Sequence, residues 1–432
     1  MAWWFKLVLW QRVLAALVLG VLLGLAFRSF GGTYEVDGIT KYAGADFVTV
    51  WIKPFGSAFV QLIKMLVVPL VFTTLVTGIT SMGHPSKLGT IGLRAFVLYV
   101  FTTLVAVSIG LFYGTIFKPG SGVDFTDVVP NVLEGTAPTM TERLINIIPA
   151  NPVQALASGD MLAIIFFALM LGVAILMVGK RAEPIKVFFD ASVQIMFKIT
   201  HWVMELAPYG VFALITWVTA TKGVETFSSV LMLALALYLG CITHMIIMYG
   251  GLVKIGLRLP LVRFFRGILD AQVVAYSTST SAGTLPVTIT CVQDNLGIKP
   301  VVAGSVLPLG ATINMDGTSL YLGLLALFAA NAFGIDLSLG DYGLIALTAT
   351  LASIGTASIP SASLFMLAIV LPTIGVSPEQ IALMVGFILP FDRPLDMMRT
   401  LTNVTGDAAV ATAVAKWEGE LDEDVYRAVA NV

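Results

Sequence analysis

Two stretches of this chain, Ala95 to Phe117 and Thr226 to Val253, contain no Asp, Glu, Lys or Arg. Each is long enough to cross a bilayer as a helix. The whole chain is 57% hydrophobic and 12% charged, which is not the composition of a soluble globular protein. An apolar run from Val13 to Phe27 follows Lys6 and Arg12. It resembles a signal peptide, but Arg28 and Ser29 follow where a small-x-small cleavage site would stand, so the run reads as a retained first helix. Cys241 and Cys291 lie in apolar runs with no metal spacing and read as buried, inert thiols. His84, His201 and His244 are isolated in sequence, which points to packing or surface roles.

Helix candidates fall at about 10–28, 49–82, 94–117, a broken region within 125–179, 188–218 and 226–256. Basic residues mark alternate connections: Lys6 and Arg12; His84, Lys87 and Arg94; Lys180, Arg181 and Lys186; Lys254, Arg258, Arg263 and Arg266. The other connections carry Glu35 and Asp37, or Asp124, Asp127 and Glu134. The positive-inside rule then puts the N-terminus and the basic loops in the cytoplasm. A formal net charge of -2 says little more, since a membrane protein sorts its charges by side.

The second half is built differently. Ala271 to Gln293 is uncharged and rich in Ser and Thr, with Gly283 and Pro286 inside it. Tyr342 to Pro378 is too long for one simple span and is interrupted by Ser353-Ile-Gly-Thr-Ala-Ser-Ile-Pro-Ser-Ala-Ser363. Each reads as a helical hairpin that enters the membrane, turns at a polar tip and leaves on the same side. Irregular backbone at that depth is tolerated only where it lines protein or water. An apolar helix with a polar knot follows each hairpin: Asn314-Met-Asp-Gly-Thr318 after the first, Asp392 to Asp407 after the second. Two such units in succession are the sequence form of a transporter's repeated core.

The second knot is the densest. Tyr342 to Phe391 holds one charged residue, Glu379, and then five charges fall between Asp392 and Asp407. At 100° per residue, Asp392, Asp396, Arg399, Asn403 and Asp407 share one narrow helix face. Ionisable groups in such a setting are expensive and mark a substrate or ion path. Arg399 offers a fork that fits a carboxylate, and Asp396 could accept from an ammonium group. Alternatively the two neutralise each other at i, i+3. In the first knot, Gly317 favours local unwinding, which exposes carbonyls beside Asn314 and Asp316. Such oxygens suit a small hard cation, and both Asp316 and Asp407 need a bound cation or a proton. Metalloprotease, P-loop and serine-hydrolase motifs are absent, so a non-enzyme is expected. A channel would build rings of filter residues, whereas these polar groups gather at one compact site. Nothing in the sequence calls for a nucleic-acid partner.

With these motifs in view, the chain closely resembles the sodium- and proton-coupled dicarboxylate/amino acid symporters, the glutamate transporter family. The likeness covers essentially the whole length. It is carried by Ser277-Thr-Ser-Thr-Ser-Ala-Gly-Thr-Leu-Pro286, Asn314 to Thr318, Ser353 to Ser363, and Asp392 to Asp407. The resemblance implies an all-α polytopic protein of the cell membrane with both termini cytoplasmic. It implies eight transmembrane helices, two re-entrant hairpins, inverted repeats, a homotrimer and an elevator-type motion. Residues 1–93 and 125–220 would form the scaffold. Residues 94–124 and 221–432 would form the moving transport unit, with the second hairpin as extracellular gate.

Carried over to this sequence, the resemblance implies that Arg399, helped by Thr318, holds the side-chain carboxylate of an acidic amino acid. Asp396 would hold its amino group, and Asn403, Thr400, Ser281 and backbone around Ser358 and Ile359 the rest. Sodium ions would be co-transported. A first site would use carbonyls of Gly310, Asn314 and Asn403 with the Asp407 carboxylate. A second would use backbone of Thr312, Ser353, Ile354 and Thr356, and a third Tyr99, Thr102, Thr103, Asn314 and Asp316. The sequence also departs from the family. Archaeal-type members carry an Arg in the first hairpin where this chain has Ser279, and animal members carry one in the last helix at the place of Met397. Here Arg393 appears instead, and the usually Gly-rich second tip reads Ser358-Ile-Pro-Ser-Ala-Ser363. Arg393 is expected to reach toward the hairpin tips or Asp392, with Pro394 bending the chain beside it.

Overall fold

The computed structural model describes residues 9–30, 32–36, 39–81, 85–123, 145, 148–223, 227–354, 356 and 361–428, and they are almost wholly helical. Helix α1 (Leu9–Ser29) leads into a short antiparallel pair, β1 (Thr33–Val36) and β2 (Ile39–Tyr42). Then come α2 (Ala43–Trp51), α3 (Lys53–Ser81) and α4 (Pro85–Phe117). Beyond residues 124–144, which lie outside the described residues, follow α5 (Pro152–Ser158), α6 (Met161–Val178), α7 (Glu183–Glu205) and α8 (Ala207–Lys222).

Two of the expected helices divide. The segment 49–82 becomes α2 and α3, parted at Ile52, and 188–218 becomes α7 and α8, parted at Leu206. The cause is the same in both places. Pro54 and Pro208 have no N–H to donate to the preceding turn, so each ends one helix and sits in the first turn of the next.

Helix α9 (Phe227–His244) continues through two π-helical stretches, Met245–Tyr249 and Leu252–Gly256. After α10 (Leu261–Gly267) comes the first hairpin, α11 (Leu269–Thr278) and α12 (Ser281–Thr290). Next is a broken helix, α13 (Pro300–Ile313) and α14 (Asp316–Phe333). The second hairpin is α15 (Leu339–Ile354) and α16 (Ala362–Val370). Helix α17 (Pro378–Ile388) starts at a capping box, in which Ser377 and Gln380 satisfy each other's backbone N–H groups. The chain closes with α18 (Asp392–Glu418) and α19 (Glu423–Arg427).

Among the described residues, four helical stretches are long and apolar enough to cross a membrane: Gln11–Ser29, Thr90–Phe117, Phe227–Gly256 and Pro300–Phe333. The last is wholly buried in its most apolar window, so it is the central helix of the molecule. The packing falls into two groups. In one, α1 lies along α8, α3 packs on α6, α7 and α8, and the buried Arg12 pairs with Glu205 of α7 at 2.8 Å. In the other, α4 packs on α14 and α9, and α18 packs on α11, α13 and α14. The groups meet mainly where α16 and α17 touch α3 and where α17 touches α8.

Two serines stand in the left-handed region: Ser279 at φ 56° between α11 and α12, and Ser361 at φ 62° just before α16. Helix α18 runs unbroken past Pro394, contrary to the bend expected there. Pro394 lies in the first turn, where its missing N–H would have had no intrahelical partner, so the proline costs the helix nothing.

Candidate functional site

The polar face of α18 meets the break between α13 and α14. Asn314 (φ −92°, ψ 87°) and Met315 (φ −116°, ψ 53°) leave helical geometry. Gly317, expected to loosen the helix, is itself helical and matters for another reason. A Cβ there would lie 2.4 Å from the Arg399 carbonyl oxygen, so glycine is what lets α14 touch α18. Side chains and backbone of α18 then tie the break. Gly317 N–H donates to Asn403 Oδ1 at 2.8 Å, Asn403 Nδ2 donates to Met315 Sδ at 3.2 Å, and Asn314 Nδ2 donates to Asp407 Oδ1 at 2.9 Å and to the Asn403 carbonyl at 3.3 Å.

Arg399 is fully buried. Its Nη2 sits 2.8 Å from Asp396 Oδ1 and 3.0 Å from Asp392 Oδ1, and its Nη1 donates to Ser363 Oγ at 2.5 Å. The guanidinium also stacks over the Tyr321 ring, 4.1 Å from the centroid, where the ring's negative face favours a cation. Tyr321 donates in turn to Asp392 Oδ1 at 3.3 Å. Arg399 and Asp396 thus do neutralise each other at i, i+3, with Asp392, which the sequence offered as a partner of Arg393, as a third member. The other Asp396 oxygen, Oδ2, accepts from the Ser361 N–H at 2.9 Å.

Asp396 lines a small polar cavity of about 20 Å3 between the two hairpins, together with Ser281, Thr318, Thr400 and Asn403. Thr356 and Ser363 close it from the second hairpin, Ser279 and Thr280 from the first. Arg399 stands behind it, reached through Asp396 and Ser363. Ser358 and Ile359 lie outside the described residues.

The residues expected to bind cations are placed as follows. Gly310 lies against Asp407 and Tyr99: an added Cβ would stand 2.4 Å from Asp407 Oδ1 and 2.4 Å from the Tyr99 hydroxyl. On α4, Thr103 donates to Asp316 Oδ1 at 2.7 Å and Thr102 to the Tyr99 carbonyl at 3.0 Å, while Tyr99 donates to the Val306 carbonyl at 3.1 Å. Among the described residues, Asn314 Oδ1 is buried without a hydrogen-bond partner. Thr312 stands near the C-terminal end of α13, and Ser353, Ile354 and Thr356 at that of α15, two helices in contact. Helix C-termini present unpaired carbonyls and partial negative charge, which suits a cation. Thr356 N–H bonds the Ser353 carbonyl at 3.1 Å, and the Thr312 hydroxyl bonds the Leu309 carbonyl at 2.8 Å. No cluster of three or more His, Cys, Asp or Glu that could hold a metal occurs among the described residues, and the residues expected to bind cations offer hydroxyl, carbonyl, amide and carboxylate oxygens.

Sequence reasoning missed two residues on α9. His244, expected to be isolated, is fully buried with Nε2 3.3 Å from Asp316 Oδ2, and Tyr249 donates to the same oxygen at 2.6 Å. Five residues apart on an α-helix they would face different ways. The π-helical stretch Met245–Tyr249 removes most of that offset and brings both to one side. A histidine and a tyrosine inside an uncharged apolar run were the available signal.

Arg393 reaches the first hairpin. Its Nη2 lies 3.4 Å from the Ser277 carbonyl and 3.3 Å from that of Thr278, the last turn of α11. A cation at a helix C-terminus is favourable.

Helices long and apolar enough to cross a membrane thus surround a buried cluster of charges, which marks a path for a charged solute or ion. The chain belongs to the sodium:dicarboxylate symporter family, whose pattern it matches over residues 9–417. It is 33% identical to the proton/sodium-glutamate symport protein of Geobacillus stearothermophilus, over 96% of this chain and 95% of that one. It is 34% identical to the C4-dicarboxylate transport protein of Rhodospirillum rubrum, over 97% and 90%. It is 32% identical to the proton/glutamate-aspartate symporter of Bacillus subtilis, over 96% and 95%.

Proposed function

We propose that this chain is a sodium-coupled symporter that imports acidic amino acids, aspartate or glutamate. The observation that carries the reading is Arg399 held beside a cavity lined by Asp396, a cation for a distal carboxylate and an anion for an ammonium group. Both groups are engaged by the second hairpin, Arg399 by the Ser363 hydroxyl and Asp396 by the Ser361 amide. A substrate carboxylate would take the place of Ser363 and an ammonium that of Ser361, so substrate binding and release of the hairpin are one exchange. Thr318, Asn403, Thr400, Ser281 and backbone at Ser358 and Ile359 would hold the remaining atoms. Sodium would use the three sets of oxygens around Asp407, around Asp316, and between Thr312 and Thr356.

The two packing groups support a scaffold of residues 1–93 and 125–220 and a moving unit of residues 94–124 and 221–432. On this reading the protein works as a homotrimer in the cell membrane, with eight spans, two re-entrant hairpins, cytoplasmic termini and an elevator motion. The second reading is a proton-coupled glutamate or C4-dicarboxylate carrier, which the names of the relatives favour. Asp396 argues for a substrate with an amino group, because a dicarboxylate would leave a buried carboxylate facing a dianion.

Uptake into liposomes decides between them. Labelled aspartate or glutamate should accumulate under a sodium gradient alone and exchange in counterflow. Equal uptake with potassium replacing sodium and no pH gradient overturns sodium coupling. Uptake under a proton gradient alone selects the second reading.

A further inference from the structure

We infer that His244 sets how tightly the Asp316 region binds a cation, by hydrogen-bonding the carboxylate when no cation is there. This rests on the proposed role of Asp316 as a cation ligand. The carboxylate is buried beyond the reach of water, and three donors from two helices converge on it. Thr103 of α4 holds Oδ1, and Tyr249 and His244 of the α9 segment hold Oδ2. Among the described residues His244 Nδ1 is buried without a partner, so Nε2 is the ring nitrogen placed to donate to Asp316. The ring is clamped edge-on against Tyr249, with centroids 4.7 Å apart.

Two effects of losing His244 oppose each other. Without it the carboxylate is less firmly oriented, which weakens cation binding. Yet Tyr249 at 2.6 Å and Thr103 at 2.7 Å still fix both oxygens, so little orientation is lost. The second effect is larger. A hydrogen bond to an uncompensated carboxylate is stronger than one to a carboxylate already neutralised by a cation. His244 therefore stabilises the cation-free state more than the occupied one, and removing it makes the cation bind more tightly, by about fivefold. Its 3.3 Å contact is the longest of the three, and so the one whose loss perturbs geometry least.

The test is sodium titration of aspartate binding to the full-length protein, using the parent, His244→Leu, His244→Met and His244→Gln. Gln keeps an N–H donor near the position of Nε2, whereas Leu and Met keep bulk alone. The half-saturating sodium concentration should fall several-fold in Leu and Met and return toward the parent value in Gln. A packing role would move Gln and Leu alike. Two apolar variants of different shape guard against one that does not fold. If the parent depends on sodium but Leu and Met bind sodium equally well or more weakly, the inference is overturned and the sodium reading stands. If binding by the parent ignores sodium, both fall.

Discussion

The two polar segments that face each other, Asn314–Thr318 and Asp392–Asp407, are polar by opposite means. In the first the helix stops: Asn314 and Met315 leave helical geometry, and the chain resumes as α14. In the second it does not stop, and α18 runs unbroken from Asp392 to Glu418. An intact helix consumes its interior carbonyls in its own hydrogen bonds, so α18 contributes mainly side chains, Arg399 and three aspartates among them. A broken helix frees backbone oxygens and needs outside support for the remaining groups. The support comes from the unbroken partner, since Asn403 and Asp407 hold Gly317 and Asn314. On the proposed function, oxygen-rich cation sites and a charged solute site would lie side by side because one helix is irregular and the other rigid.

The sharpest way to break this comparison is to remove the charge on the rigid side. Arg399→Cys leaves Asp392 and Asp396 buried without their cation. Affinity for acidic substrate should fall by about 2–5 kcal/mol, the usual cost of truncating one partner of a buried pair. Small neutral amino acids should become better competitors. Calorimetry with aspartate and with serine measures both, and near-parent aspartate affinity would place carboxylate recognition elsewhere.

The contact between the two segments comes next. Gly317→Ala puts a Cβ 2.4 Å from the Arg399 carbonyl, backbone against backbone. It should lower stability by about 1–3 kcal/mol in thermal unfolding, as other overpacked cores do. Gly343→Ala, on α15 with nothing within 4 Å, is the control and should be neutral or slightly stabilising. Equal effects at the two glycines would mean that α14 and α18 do not need their close approach.

A smaller effect is expected at the start of α18. Arg393→Ala removes the cation from the end of α11, a contact worth about 0.3–1 kcal/mol. It should change the transport rate by about two- to fivefold, what that energy implies, and leave aspartate affinity unchanged. Unchanged rate and affinity together would reduce Arg393 to a solvated side chain.

The smallest effect tests the symmetry of the hairpins. Ser279→Gly and Ser361→Gly each relieve a left-handed residue, a gain of about 1 kcal/mol offset in part by glycine's extra freedom when unfolded. The two should shift the unfolding temperature slightly and alike. A large shift at one tip alone would show that the hairpin turns are not equivalent.

The order of the elements was legible in the sequence. Uncharged runs located α4 and α9, a Ser/Thr-rich interruption located the turn between α11 and α12, and helical periodicity put Asp392, Asp396, Arg399, Asn403 and Asp407 on one face. These are local properties, governed by transfer into an apolar medium and by helix geometry. Proline was the exception: Pro54 and Pro208 cut helices that periodicity alone would join, while Pro394 did not bend one, because position within a helix decides what a missing N–H costs. Only the tertiary structure decided who partners whom. The two carboxylates that share Arg399 lie on its own helix, but the Ser363 hydroxyl reaches it only because a helix far away in the chain packs there. That His244 and Tyr249 both reach Asp316 depends on a π-helical turn between them and on α9 packing beside α14. Sequence spacing carries the face a residue points from, and packing alone supplies what it points at.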